Sequence, residues 1–134
     1  MGPSEVIVVE TSALVAILQG EPERQPFRVI IAESDARVPV SCYLETAIAL
    51  RKRGMALGIL EGFVADAELT LLASDSVQAR IAAEADRRYG RGTGHPARLN
   101  FGDCLAYAAA VAYDAPLLFK GADFSRTDVR RALD

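Results

Sequence analysis

Apolar and polar positions alternate along this chain in blocks that predict strands separated by helices. Val6-Ile7-Val8-Val9 is a short, β-branched, wholly apolar run, the pattern of a strand buried on both faces of a parallel sheet. Thr11 or Ser12 then reads as the cap of a helix through Leu18, and after Gly20 the segment from Glu21 to Asp35 reads as a second helix. Val38-Pro39-Val40 predicts a brief second strand, with its proline at an end or an edge, and Ser41 caps a helix to Arg53 that stops at Gly54. A helix from about Met55 to Ala67 leads into a third strand, Leu69-Thr70-Leu71-Leu72, and Ser74 caps a long amphipathic helix ending at Tyr89-Gly90. Gly90 to Pro96 is a loop, Asn100 starts an alanine-rich helix to Tyr113, and Pro116 to Phe119 is a fourth strand. Ser125-Arg126-Thr127-Asp128 predicts a capping box for a last helix.

Strands alternating with helices imply parallel pairing by right-handed crossovers. The expected fold is therefore α/β, a three-layer α/β/α sandwich with a short, mainly parallel central sheet. In such sheets ligands bind beyond the carboxyl ends of the strands. Glu10, Ser41 and Asp123 all fall near that edge.

A length of 134 residues suits one domain, and 51% hydrophobic residues supply its core. No apolar run approaches a membrane span, because Glu10, Glu45 and Asp103 interrupt the candidates. No secretory pattern opens the sequence, and Gly2 fails the myristoylation rule because position six is Val6, so a cytoplasmic protein is expected. Cys42 and Cys104, far apart in apolar helical segments, read as buried free thiols, and a lone His95 excludes a zinc-like cluster. The net charge of -3 gives no global pull toward nucleic acid. Basic residues do gather locally, at Arg51-Lys52-Arg53, at Arg87-Arg88-Arg91 and at Arg126-Arg130-Arg131, where solvated helix faces or dipole compensation are equally ordinary readings.

Three acids share an unusual setting. Glu10 is the only charge from Val6 to Leu18, Glu45 the only one from Val40 to Leu50, and Asp103 the only one from Leu99 to Tyr113. An ionised carboxylate out of water is costly without a cation, and none lies within these runs. With Asp123 at the expected crevice, these oxygen donors suit a hard cation, magnesium or manganese. Each acid also has a structural reading: Asp103 as the partner of Asn100 in a capping box, Glu45 as a first-turn acid, Glu10 as a surface strand end, Asp123 as a turn acid. A divalent ion held by converging carboxylates can hydrolyse phosphodiesters, with one metal or two.

The segments Val8-Val9-Glu10-Thr11-Ser12-Ala13-Leu14, Tyr89-Gly90-Arg91-Gly92 with His95-Pro96-Ala97, Leu99-Asn100-Phe101-Gly102-Asp103-Cys104 and Pro116-Leu117-Leu118-Phe119-Lys120-Gly121 with Asp123-Phe124 together resemble the VapC toxins of the PIN-domain ribonuclease family. The resemblance runs through essentially the whole chain in order. It implies a PIN fold and a magnesium- or manganese-dependent endoribonuclease. The acidic quartet would be Glu10, Glu45, Asp103 and Asp123, with Ser12 and its neighbour Thr11 supporting the metal shell. It also implies an RNA substrate, a homodimer, and a VapB antitoxin that sends an arginine into the acidic crevice, which suits guanidinium–carboxylate chemistry. Two positions depart from the family pattern: the usual first Asp is Glu10, and a frequent second acid before the last Asp is Ala122. Lys120 would contact substrate phosphate or pair with Asp123, the pairing being favoured.

Other classes fit less well. A receiver domain wants its phosphoacceptor Asp at the end of the third strand, where Leu72-Ala73 stand, and a HAD-type phosphatase wants Asp-x-Asp where the chain has Glu10-Thr11-Ser12. A P-loop is absent from the sequence. A PIN domain that has lost catalysis through Glu10 and acts as a binding partner is the remaining alternative.

Overall fold

The structure, a computed structural model, describes residues 4–133, so Gly2 lies outside the described residues. In chain order the elements are β1 (Val6–Val9), α1 (Thr11–Leu18), α2 (Arg24–Ala32), β2 (Asp35–Pro39), α3 (Val40–Lys52), α4 (Leu57–Asp66), β3 (Thr70–Leu72), α5 (Ser76–Tyr89), α6 (Phe101–Ala112) and β4 (Leu117–Leu118), followed by a 3-10 turn at Phe124–Arg126. The strands form one sheet in the order β3-β2-β1-β4, and every pairing is parallel. This is the α/β architecture expected from the alternation of periods. Helix α1 packs on α2 and α3, α5 lies along α6, and α6 covers β1 and β2.

Burial explains the composition of β1. Val8 and Val9 are fully buried and Ile7 nearly so, flanked by β2 on one side and β4 on the other. Strand β2 begins three residues earlier than Val38, at Asp35, and Val40 belongs to α3 instead. Its polar first half escapes a hydrophobicity reading because Arg37 is neutralised within the strand, by Asp35 at 2.8 Å, while its guanidinium lies 5.5 Å from the Tyr113 ring centroid. Pro39 sits at the carboxyl end of β2, which is an inner strand rather than an edge.

Several predicted caps shift by a residue or more. Glu10, not Thr11 or Ser12, caps α1; Pro39 stands at the cap of α3 without a side-chain bond, so Ser41 is inside the helix; and Asp75, not Ser74, caps α5 through the Gln78 amide. The last predicted helix is absent among the described residues. Thr127 Oγ1 donates to the Phe124 carbonyl and accepts from the Val129 amide, closing a local turn. Beyond it the Leu117 amide donates to Arg130 O at 2.8 Å and the Ala132 amide to Leu117 O at 2.9 Å. Those backbone groups are spent on the edge of β4 and are unavailable to a helix. Cys42 and Cys104 are buried free thiols, as expected.

Candidate active site

The carboxyl edge of the sheet carries the acids. Glu10 leaves β1 with its amide donating to Leu118 O at 3.0 Å, and its carbonyl opens α1 by accepting from Ala13 and Leu14. Its side chain folds back over the same turn, accepting from the Ser12 amide at 2.8 Å and from the Ser12 hydroxyl. Ser12 Oγ in turn accepts from the Lys120 amide at 2.8 Å, so one hydroxyl ties the Glu10 carboxylate to the chain leaving β4. Glu10 is only 6% exposed, which excludes the surface strand-end reading. Burial pushes its carboxyl up to about 7; the Ser12 bonds oppose that rise, and the charges of Asp103 and Glu45 add to it.

Glu45 projects from the second turn of α3, beyond the first turn where a helix dipole would explain it. Thr11 Oγ1 lies 3.3 Å from Glu45 Oε1, and burial together with the Asp103 charge raises the Glu45 carboxyl. Asp103 completes the capping box of α6: its Oδ2 accepts from the Asn100 amide at 3.0 Å while Asn100 Oδ1 accepts from the Asp103 amide at 2.8 Å. The capping role is therefore real. It accounts for one carboxylate oxygen only, and burial, with the Asp123 charge in support, still lifts this carboxyl above the usual range, while the Arg91 charge opposes the rise. Asp123 is exposed, immediately before the 3-10 turn, and its charge reaches Asp103.

The four predicted acids thus repel one another in a connected series along one sheet edge. Among the described residues none of them has an ion-pair partner. Nor do any three of the described acids stand close enough to ligate one ion as their side chains are set. Glu10 is turned to Ser12, Glu45 to Thr11 and Asp103 to Asn100. The donor set fits a hard divalent ion in kind: carboxylate oxygens, hydroxyls beside them, and a buried carboxyl whose charged form lacks a counter-ion. Ser41 Oγ, in the first turn of α3 at the same edge, is buried with no hydrogen-bond partner.

Lys120 is engaged elsewhere. Its Nζ lies 2.9 Å from Glu21 and 3.3 Å from Glu23, so the expected pairing with Asp123 does not form. The reason is topological: α2 is preceded by these two acids on the loop that closes against the end of β4. Three neighbours of the site stand in the segments quoted from the sequence but were given no role there. Gly102 lies flat under the Glu45 carboxylate, Phe101 is 84% exposed at the start of α6, and Arg91 acts on Asp103. The available signals were an aromatic in the first turn beside a lone acid and, for Arg91, the basic cluster that contains it.

A parallel α/β sheet with acids gathered at its carboxyl edge is compatible with a PIN domain, and the PIN domain model matches residues 7–130. Ribonuclease VapC28 of Mycobacterium tuberculosis is 41% identical over 131 residues, covering 96% of this chain and 98% of that protein. Ribonuclease VapC of Mycolicibacterium smegmatis is 44% identical over 126 residues, covering 92% and 97%. Among solved structures, Mycobacterium tuberculosis VapC20, a Sarcin-Ricin loop cleaving toxin, superposes with a TM-score of 0.74 at 16% identity over 96% of this chain and 99% of that one. The chain belongs to the PIN-domain family and, within it, to the VapC ribonucleases.

Proposed function

We propose that this chain is an endoribonuclease toxin that hydrolyses RNA phosphodiester bonds with magnesium, or manganese in its place, held by Glu10, Glu45, Asp103 and Asp123. The observation that carries the reading is the buried Glu10 carboxyl, raised to about 7 with Asp103 and Glu45 adding their repulsion and no cation beside it. A charge so placed is stable only when a positive group joins it. A bound divalent ion would supply an activated water and neutralise charge on the scissile phosphate.

The protein's own residues do the rest. Glu10 is fixed by Ser12, which is itself fixed by the Lys120 amide, so the first ligand is held from two strands at once. Asp103 keeps one oxygen, Oδ1, free of the capping box and available to the site. Glu45, held only by the weak Thr11 contact, is freer to reorient than Glu10 or Asp103. Thr11 and Ser12 are positioning residues. Lys120, held by Glu21 and Glu23, meets substrate phosphate only if that ion pair opens.

The same acids define the partner. A guanidinium from a VapB-type antitoxin fits the place of the ion, with bidentate bonds to carboxylates that would otherwise repel. A Klebsiella pneumoniae toxin-antitoxin complex shares the fold, with a TM-score of 0.67 at 14% identity over 89% of this chain. The family's habit supports a homodimer acting in the cytoplasm, and among the described residues no helix is long and apolar enough to cross a membrane. The deciding experiment is RNA cleavage with magnesium, with manganese and with EDTA, run beside a phosphotransfer assay. Cleavage that needs the ion supports the reading. Cleavage unaffected by EDTA, or phosphotransfer without cleavage, overturns it, and ion binding without cleavage leaves the binding-partner alternative.

A further inference from the structure

We propose that the loop from Gly90 to Asn100 and the first residue of α6 form a docking arm for single-stranded RNA, in which Phe101 stacks on a base and Arg91 and Arg98 hold the flanking phosphates. This inference rests on the ribonuclease reading above and names the surface that brings a polyanion to an acidic centre.

A site built of carboxylates repels its own substrate, so cationic groups must stand close by without quenching the acids. Four of the thirteen arginines are already engaged in ion pairs. Arg87 is paired with Glu84, Arg88 with Asp128, Arg130 with Asp114 and Arg37 with Asp35. Arg91 and Arg98 are exposed, and among the described residues neither has an ion-pair partner. Arg91 is near enough for its charge to act on Asp103, placing it beside the acids rather than across the molecule.

The loop is built to hold these side chains outward. Its two ends are laced together, with the Leu99 amide donating to Tyr89 O at 2.9 Å and the Arg91 amide to Leu99 O at 3.1 Å. Arg91 Nε also donates to Arg98 O at 3.1 Å. Ala97 and Leu99 are buried in the core, and the residue between them, Arg98, takes a left-handed backbone at φ 49. That conformation is costly for a residue with a Cβ and persists only where its surroundings impose it. Here it turns a guanidinium to solvent between two core anchors. The next apolar residue, Phe101, is the most exposed large hydrophobic side chain described, at 84%, and stands two residues ahead of Asp103.

An exposed phenyl ring on the same segment as two guanidiniums without ion-pair partners has the chemistry that single-stranded nucleic acid recognises, since any base offers a face for stacking and any phosphate a charge. Base-paired RNA would offer no free face to Phe101.

The test uses the full chain carrying Asp103→Asn to suppress cleavage, and reads fluorescence anisotropy of a labelled pool of short single-stranded RNA. Phe101→Ala is expected to weaken binding roughly 5- to 150-fold, the range of one lost base stack, and Phe101→Trp to preserve it. Arg91→Ala and Arg98→Ala are each expected to reduce the slope of log affinity against log salt by about 0.7. Phe101→Leu binding as well as Phe101→Trp would replace stacking with generic apolar contact and overturn the proposal. So would Phe101→Ala that binds RNA normally but loses self-association in sedimentation, which would assign the ring to a chain-chain contact. If the Asp103→Asn parent binds no RNA and the unsubstituted chain is also negative in the magnesium cleavage assay, the ribonuclease reading itself fails; if the unsubstituted chain cleaves RNA and the Phe101, Arg91 and Arg98 variants bind RNA as the Asp103→Asn parent does, only the docking arm fails.

Discussion

The Glu45 carboxylate lies directly over the backbone of Gly102, where a Cβ would stand 2.3 Å from Glu45 Oε2 and 2.6 Å from the carboxyl carbon. Gly102 has no need of a left-handed backbone. Its missing Cβ leaves the space that the carboxylate of α3's acid occupies at the start of α6. The first turn of α6 therefore carries one acid, Asp103, and makes room for another.

Gly102→Ala should separate activity from stability. Alanine favours the helix by roughly 1 kcal/mol over glycine, and Glu45 is a flexible, half-buried side chain that can swing aside. The variant is expected to melt at or above the parent temperature while RNA cleavage falls on the order of a hundredfold, as a catalytic group is displaced. Thermal unfolding and cleavage kinetics on the same sample check it; unchanged cleavage would remove Glu45 from the site.

The buried Glu10 carboxyl makes the ion-free protein pH-sensitive. Its folded value of about 7 lies above its ordinary 4.5, so burial penalises the charged form. The penalty is absent below pH 4.5, grows as pH rises through that window, and is complete above about 7, where it reaches on the order of 3 kcal/mol. Glu10→Gln removes the charge and keeps an acceptor for Ser12. In EDTA the variant is expected to melt roughly 10 °C above the parent on the alkaline side of neutrality, and to match it at the acid end. Equal melting temperatures across the range would mean that the carboxyl is hydrated.

Much of this fold could be read from periodicity, and where reading failed the cause is tertiary. Strand β1 and helix α6 were legible because most of their apolar residues are buried in the core, Ile7 to Val9 in the one and Ala106 to Ala110 in the other. The early half of β2 was hidden because Arg37 finds Asp35 and Tyr113 only after folding. The capping pattern at Ser125 was a false signal, because residues 130 and 132 bond to Leu117, far away in sequence. The acids Glu10, Glu45 and Asp103 stood out as lone charges in apolar runs. The partner of Lys120 could not be read in the same way: whether it meets Asp123 or Glu21 depends on how the loop before α2 closes against β4.

Asp103→Asn should abolish the response to magnesium and leave the fold intact. An amide oxygen is a weak ligand for a hard cation, yet it can still accept from the Asn100 amide and so preserve the capping box. The parent is expected to gain about 3 kcal/mol of stability with the ion at roughly a hundredfold excess over its Kd, a gain absent from the variant. Cleavage falls to background with it. Melting curves with and without magnesium read this directly, and a variant still stabilised by the ion would place the ion away from Asp103.

Glu10→Asp tests how the longer acid at this position is used. Aspartate is a preferred helix cap, so it should retain the Ser12 amide and hydroxyl that now bind Glu10. Losing one buried methylene costs about 1 kcal/mol. The VapC pattern normally has Asp here, and the remaining acids on α3, on α6 and before the 3-10 turn are unchanged, so cleavage is expected to be preserved or raised. Initial rates at matched magnesium, with the melting temperature as a control for folding, decide the point. A loss beyond tenfold in a well-folded variant would mean that the Glu45–Gly102 approach and the Ser12–Lys120 tie hold the neighbouring groups at a distance that only glutamate spans.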